Sequence, residues 1–115
     1  MDLESLRSHC LSLPSVDEAF PFGPAVLVFR VDQKMFALVN LEAERLRVNL
    51  KCDPEYAARL RDEFEEIIPG WHMNKTHWNT VYLDGSLKTL FVKELVNHSY
   101  ELVKSKPRQH KNKKK

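Results

Sequence analysis

At 115 residues, 43% of them hydrophobic and 30% charged, the chain has room for one domain with its own core and is too apolar to be a disordered polymer. No apolar run approaches the ~20 residues that span a bilayer, and MDLESLRSHCLSL carries acids where a secretory leader carries bases, so a cytoplasmic protein without membrane contact is expected. The formal net charge of +2 is unevenly divided: KSKPRQHKNKKK, from Lys104 onward, holds seven of the 18 Lys and Arg and no acid, which leaves eleven bases against sixteen acids, a net −5, on residues 1–103. The expected organisation is thus a folded domain over 1–103 and a basic, disordered tail over 104–115. An acidic body does not suit general phosphate binding, whereas the tail alone attracts polyanions.

Asp2 is placed to cap a helix whose apolar positions Leu3, Leu6, Cys10 and Leu13 recur three and four apart, and Pro14 ends it. SVDEAFPFGP, residues 15–24, has the prolines and glycine of a loop, with Phe20 and Phe22 expected to be anchors packed beneath it. AVLVFRV (25–31) and KMFALVN (34–40) read as strands joined by the two-residue turn Asp32-Gln33, which lacks the favoured glycine. RLRVNLK (45–51) alternates, with Leu46, Val48 and Leu50 on one face and Arg45, Arg47, Asn49 and Lys51 on the other. Asp53-Pro54-Glu55 pairs a capping residue with proline at the first helical position, and Tyr56, Ala57, Leu60 and Phe64 line that helix. A short strand around Ile67 and Ile68 stops at Pro69-Gly70. HWNTVYL (77–83) is the next strand, and Ser86 is expected to cap a final helix reaching about Lys104 on a stripe of Leu87, Leu90, Phe91, Glu94, Leu95, His98 and Leu102.

The order α-β(3)-α-β(2)-α with short connections predicts an α+β fold: two layers, an antiparallel sheet with helices on one face and its other face partly open. The runs VNLKCDPEYAARLR and HMNKTHWNTVYLDGSL, the Pro69-Gly70-Trp71 break and SYELV at 99–103 resemble the MmcQ/YjbR family of small bacterial proteins over about residues 1–104. That resemblance implies the same element order and a likeness in shape to secretion-chaperone-like and CyaY-like (frataxin-like) domains. It also implies DNA binding by analogy with a double-wing β-surface, and it carries over no enzymatic activity and no catalytic residue.

Alternation puts Trp78 and Tyr82 on the open face beside Arg45, Arg47 and Lys51. Rings next to cations are the pattern of a nucleic-acid strand site, where stacking contributes ~1–3 kcal/mol per base. The competing reading makes the rings packing residues and the cations a solvated row. Lys75, before this strand, and His77, at its start, are candidates for an anion site in a cleft, and Lys111, Lys113 and Lys114 add charge from the tail. The expected function is a binding module that contacts DNA through this face and tail; the alternative is a protein-interaction or chaperone-like module, as monomer or weak dimer. No catalytic set, metal site or cofactor is expected: His77 has no nearby carboxylate partner, His72 and His77 are five apart, and Asp62, Glu63, Glu65 and Glu66 read as a solvated helix end rather than an iron surface. Cys10 and Cys52 form no Cys-x-x-Cys pair and are expected as reduced thiols.

Overall fold

The computed structural model describes residues 1–105. Helix α1, Leu3–Ser12, begins where the Asp2 carboxylate accepts the Ser5 amide at 2.8 Å, and it buries Leu6 and Cys10. The expected loop over 15–24 contains a strand, β1, Val16–Ala19. Ser15 takes φ 65° to reverse the chain, and β1 then pairs antiparallel with β2, Val26–Val31. Four residues between two sets of turn signals are too few for a periodicity to stand out. This strand is held instead by its partners. Asp17 accepts two hydrogen bonds from Arg30 at 3.0 and 2.9 Å, and Glu18 is bound by Arg7 of α1. Charged side chains on so short an edge also discourage pairing with another chain.

Strand β3, Lys34–Asn40, follows β2 through Asp32 and Gln33, both in the left-handed region at φ 51° and 65°. This is the two-residue hairpin expected, made without glycine. The register slips once: Arg30 faces Met35 and Phe29 faces Ala37, so Phe36 is an extra, bulged residue. Its ring enters the core edge-on to Tyr100, with centroids 5.5 Å apart. Strand β4, Arg47–Lys51, buries Val48 and Leu50 as the alternation predicts. It pairs with β3 only at Ala37–Leu50 and Leu38–Asn49. Beyond that point the buried Ser99 hydroxyl stands between the strands, donating to the Phe36 carbonyl at 2.6 Å and accepting the Lys51 amide at 2.9 Å.

Helix α2, Pro54–Glu63, is capped by the Asp53 carboxylate on the Tyr56 amide, with proline in its first turn. Then come β5, Ile67–Pro69, and β6, Trp78–Tyr82, and the sheet runs β1-β2-β3-β4-β6-β5, antiparallel throughout. The result is an α+β fold of two layers, with six strands among the described residues where five were expected.

Helix α3, Thr89–Val103, differs from its expected form in two ways. It starts later, without a side-chain cap, because the Ser86 hydroxyl donates to the Glu66 carboxylate at 2.6 Å. Its buried stripe is Val92, Leu95, Val96, Ser99, Tyr100 and Val103, while Leu90 is 70% exposed. Two overlapping stripes exist in this segment. The expected one contains Glu94 and His98; the one used contains no charged residue and puts Ser99 at the gap between β3 and β4. His98 sits at the boundary, where its Nε2 accepts the Asp53 amide. α1, α2 and α3 share one core with Leu27, Phe29, Val39, Val48, Leu50 and Val81, all on one sheet face. No helix among the described residues is long and apolar enough to cross a membrane.

Replacing Ser99 by Ala leaves the Phe36 carbonyl and the Lys51 amide without their partner, at roughly 1–3 kcal/mol for a buried polar group; urea unfolding is expected to show a loss of about 2 kcal/mol. The hydrogen bonds from Arg30 and Arg7 hold the Asp17 and Glu18 carboxyls below their ordinary values. Depressed carboxyls contribute stability above the unfolded value, about 4, which is lost as pH falls through the folded one. The urea midpoint should therefore drop between about pH 5 and pH 3, and less so in an Asp17→Asn, Glu18→Gln double variant.

Candidate functional site

The second sheet face is not bare. Loop 70–77 turns back over it, and the first requirement is Gly70. A Cβ there would lie 2.8 Å from the Trp78 Cβ and 3.0 Å from the Trp78 carbonyl oxygen, too close for any side chain. The Gly70 amide instead donates to that carbonyl at 2.8 Å. Next in the chain, the Trp71 amide donates to the Thr80 hydroxyl at 2.8 Å, Thr80 donates to the Asn49 carboxamide oxygen, and the Asn49 side-chain NH₂ donates to the Trp71 carbonyl at 3.0 Å. This closed ring of three bonds fastens the Trp71 backbone to β4 and β6, and the indole is left 49% exposed. The Arg47 guanidinium stands over it at 5.2 Å, and the His72 ring meets its edge at 5.5 Å. His72 itself is held at φ 61°, a conformation of appreciable cost for a non-glycine residue. The loop ends in an Asn74 turn, in which the carboxamide accepts the Thr76 and His77 amides at 2.9 and 3.1 Å.

Between this loop and Phe22 lies a groove of about 290 Å³. Its floor is Val26, Met35, Leu38 and Asn49; its walls are Phe22 on one side and Trp71, His72 and Met73 on the other, with Asn40 and Arg47 also lining it. The floor is continuous with a small second cluster, Val28, Leu38 and Trp78, onto which Val26, Met35 and Met73 pack. Among the described residues the groove thus offers apolar area, one guanidinium, one imidazole and two carboxamides, with no carboxylate, hydroxyl or thiol in its lining.

The residues expected to bind nucleic acid are placed as follows. Arg47, Lys51, Trp78 and Tyr82 do share the open face, since Arg47 pairs with Tyr82 and Lys51 with Trp78. Trp78 is only 9% exposed, however, because Met73, Val28 and Leu38 pack against it. Arg45 makes two 2.9 Å hydrogen bonds to Asp84 and lies 4.0 Å over the Tyr82 ring, so cation and ring are joined to each other. The Lys75 ammonium donates to the Gly70 carbonyl, and neither Lys75 nor His77 lines the groove. Lys111, Lys113 and Lys114 lie outside the described residues. Phe20 and Phe22 are not anchors beneath their loop: they are 48% and 61% exposed. Phe22, Trp71, His72 and Met73 were not legible as a set, although a tryptophan straight after Pro69-Gly70 and an aromatic between Pro21 and Gly23 are unusual in exposed turns.

Elsewhere, burial pushes the Cys10 thiol up to about 12 and Cys52 to about 11, so both stay protonated at neutral pH and are poor nucleophiles. Both are free cysteines. Among the described residues no three His, Cys, Asp or Glu come together as a metal set.

The YjbR family model matches residues 11–102. Uncharacterized protein YjbR of Escherichia coli (strain K12) is 35% identical over 101 residues, 88% of this chain and 86% of the relative. Among solved structures, a crystal structure of a Deinococcus radiodurans protein with a DUF419 domain is 42% identical with a TM-score of 0.82, covering 87% of this chain and 76% of that one. A crystal structure of a Pseudomonas syringae protein is 26% identical with a TM-score of 0.79, covering 90% of this chain and all (100%) of that one.

Replacing Thr80 by Val, nearly the same in shape, removes one vertex of the ring that holds Trp71. Hydrogen exchange at the Trp71 amide should then speed up at least about tenfold, with a stability loss near 1 kcal/mol; an unchanged rate would mean that the loop is held by other contacts.

Proposed function

The chain belongs to the YjbR family, and from that footing we propose that it is a non-catalytic binding module whose partner enters the groove of the open sheet face. One observation carries the reading. Phe22 and Trp71 are large and exposed on either side of an apolar floor, and the Trp71 backbone is held there by two hydrogen bonds, to Thr80 and Asn49, which a third joins to each other. A preorganised aromatic wall over an apolar floor lowers the cost of ordering a site on binding. The free, buried thiols Cys10 and Cys52 support a reducing compartment, and the proposal is of a cytoplasmic module.

A second reading, contact with DNA, is favoured by one feature: Arg47 beside the exposed Trp71 ring, with Lys51 on the same face. Cation and ring together suit a single strand, and Lys111, Lys113 and Lys114 would add sequence-independent attraction. Against it stand the engagement of Arg45 with Asp84 and of Lys75 with Gly70, and the burial of Trp78.

Two titrations of the full chain separate the readings. With the neutral apolar dye Nile red, the groove reading expects saturable fluorescence that weakens about tenfold or more in Phe22→Ser and Trp71→Ala, both exposed sites where folding is preserved. With a labelled single-stranded DNA at roughly 50 and 200 mM salt, it expects any binding to fall steeply with salt and to depend on Lys111, Lys113 and Lys114 rather than on Arg47. DNA binding weakened by Arg47→Ala or Trp71→Ala, together with no dye site, would replace the first reading by the second.

A further inference from the structure

We infer that the groove selects a small amphipathic monocarboxylate, its acid group on Arg47 and its hydrocarbon or aromatic body on Leu38 and Met35 between Phe22 and Trp71. This rests on the reading of the groove as the binding surface and adds the chemistry of the ligand.

Two polar groups of the groove, Asn40 and Arg47, lie toward the same end. β3 and β4 pair at Leu38–Asn49, and Asn40 and Arg47 each lie two residues beyond that pair, in the same direction along the antiparallel ladder. Met35 lies the other way. The groove therefore carries its guanidinium toward one end, where Val26 pairs with Asn40, and Met35 toward the other.

At this end the charged group is a hydrogen-bond donor. Arg47 brings a guanidinium, which has five N–H donors and no acceptor. The four ion pairs found among the described residues take Arg7, Arg30, Arg45 and Lys104; Arg47 is in none of them, and its neighbour is the Trp71 ring. The Asn40 carboxamide oxygen already accepts the Glu42 amide at 2.9 Å, which leaves its NH₂ to face a ligand. Asn49 is spent in the ring with Thr80 and Trp71. With a guanidinium that is in none of these ion pairs and no carboxylate among the described lining residues, the groove favours an anion over an amine.

Charge and size narrow the class. One guanidinium matches one negative charge, and its planar fork matches a carboxylate in two parallel hydrogen bonds. A dianionic phosphate would keep an uncompensated charge beside a body that is net −5 over residues 1–103. At about 290 Å³ the groove lies at the small end of ligand pockets, which run roughly 300–1,000 Å³. The flexible thioethers of Met35 and Met73 suit bodies of more than one shape.

The test compares 4-phenylbutyrate with its uncharged isostere 4-phenylbutanamide on ¹⁵N-labelled full-length protein by NMR titration at fixed ionic strength. The acid is expected to shift the Leu38, Arg47 and Trp71 amides saturably and to bind at least about tenfold more tightly than the amide, and Arg47→Gln is expected to bring the acid down to the affinity of the amide. Equal binding of acid and amide at these same residues would overturn the carboxylate inference and leave the groove reading standing. No shift at these residues with either probe at millimolar concentration would overturn both.

Discussion

The Ser99 hydroxyl stands where β3 and β4 separate, joined to the Phe36 carbonyl on one strand and the Lys51 amide on the other. Both of those groups would otherwise be buried backbone without a partner, so the parting of the strands is tolerated only because α3 supplies a hydroxyl at that point. The bulge at Phe36 is the other half of the same arrangement. An extra residue there changes the parity of β3, so that Phe36 and Ala37 both belong to the core while Met35 and Leu38, three residues apart, both reach the opposite face. In a regular strand an odd spacing would put them on opposite sides. The floor of the groove thus depends on a hydrogen bond made on the far side of the sheet.

The open face is then finished by a second polar device. Asn49 and Thr80 are cross-strand neighbours on β4 and β6, and together they hold the backbone of Trp71. Gly70 allows the loop to come this close, and Met73 covers Trp78. One tryptophan of HMNKTHWNTVYLDG is in this way removed from solvent, while Trp71, immediately before that stretch, is presented to it. The unusual density of polar and aromatic residues here serves mainly to build a lid edge: Asn74 shapes the turn, Lys75 ties it to Gly70, and Thr80 anchors it.

Electrostatics follow the same division. Arg7, Arg30 and Arg45 are consumed by Glu18, Asp17 and Asp84, pairs that fasten β1 to its neighbours and the segment before β4 to the end of β6. These exposed contacts each add little to stability, but they decide which cations are left to meet a ligand. Arg47 is the cation left on the groove, and its neighbour there is a ring rather than an acid.

The residue order by itself determined the two-layer α+β fold, the family resemblance, the Asp2 and Asp53 caps, the Asp32-Gln33 turn, and the faces of β4 and β6. Each is set by neighbours within a few positions, through a period of two, a period near 3.6, or a capping side chain, and such signals survive without knowledge of the rest of the chain. Only the tertiary structure decided the strand at Val16–Ala19, the stripe that α3 buries, the burial of Trp78 and the groove between Phe22 and Trp71. These hang on partners that no local period relates, such as Asp17 with Arg30, 13 positions apart, Asn49 with Trp71, 22 apart, and Ser99 with Phe36, 63 apart. α3 contains two plausible stripes, and Arg45 could serve a ligand or a carboxylate of its own chain. Competition for buried hydrogen bonds and for the nearest carboxylate chooses between them, and that competition exists only once the chain has folded.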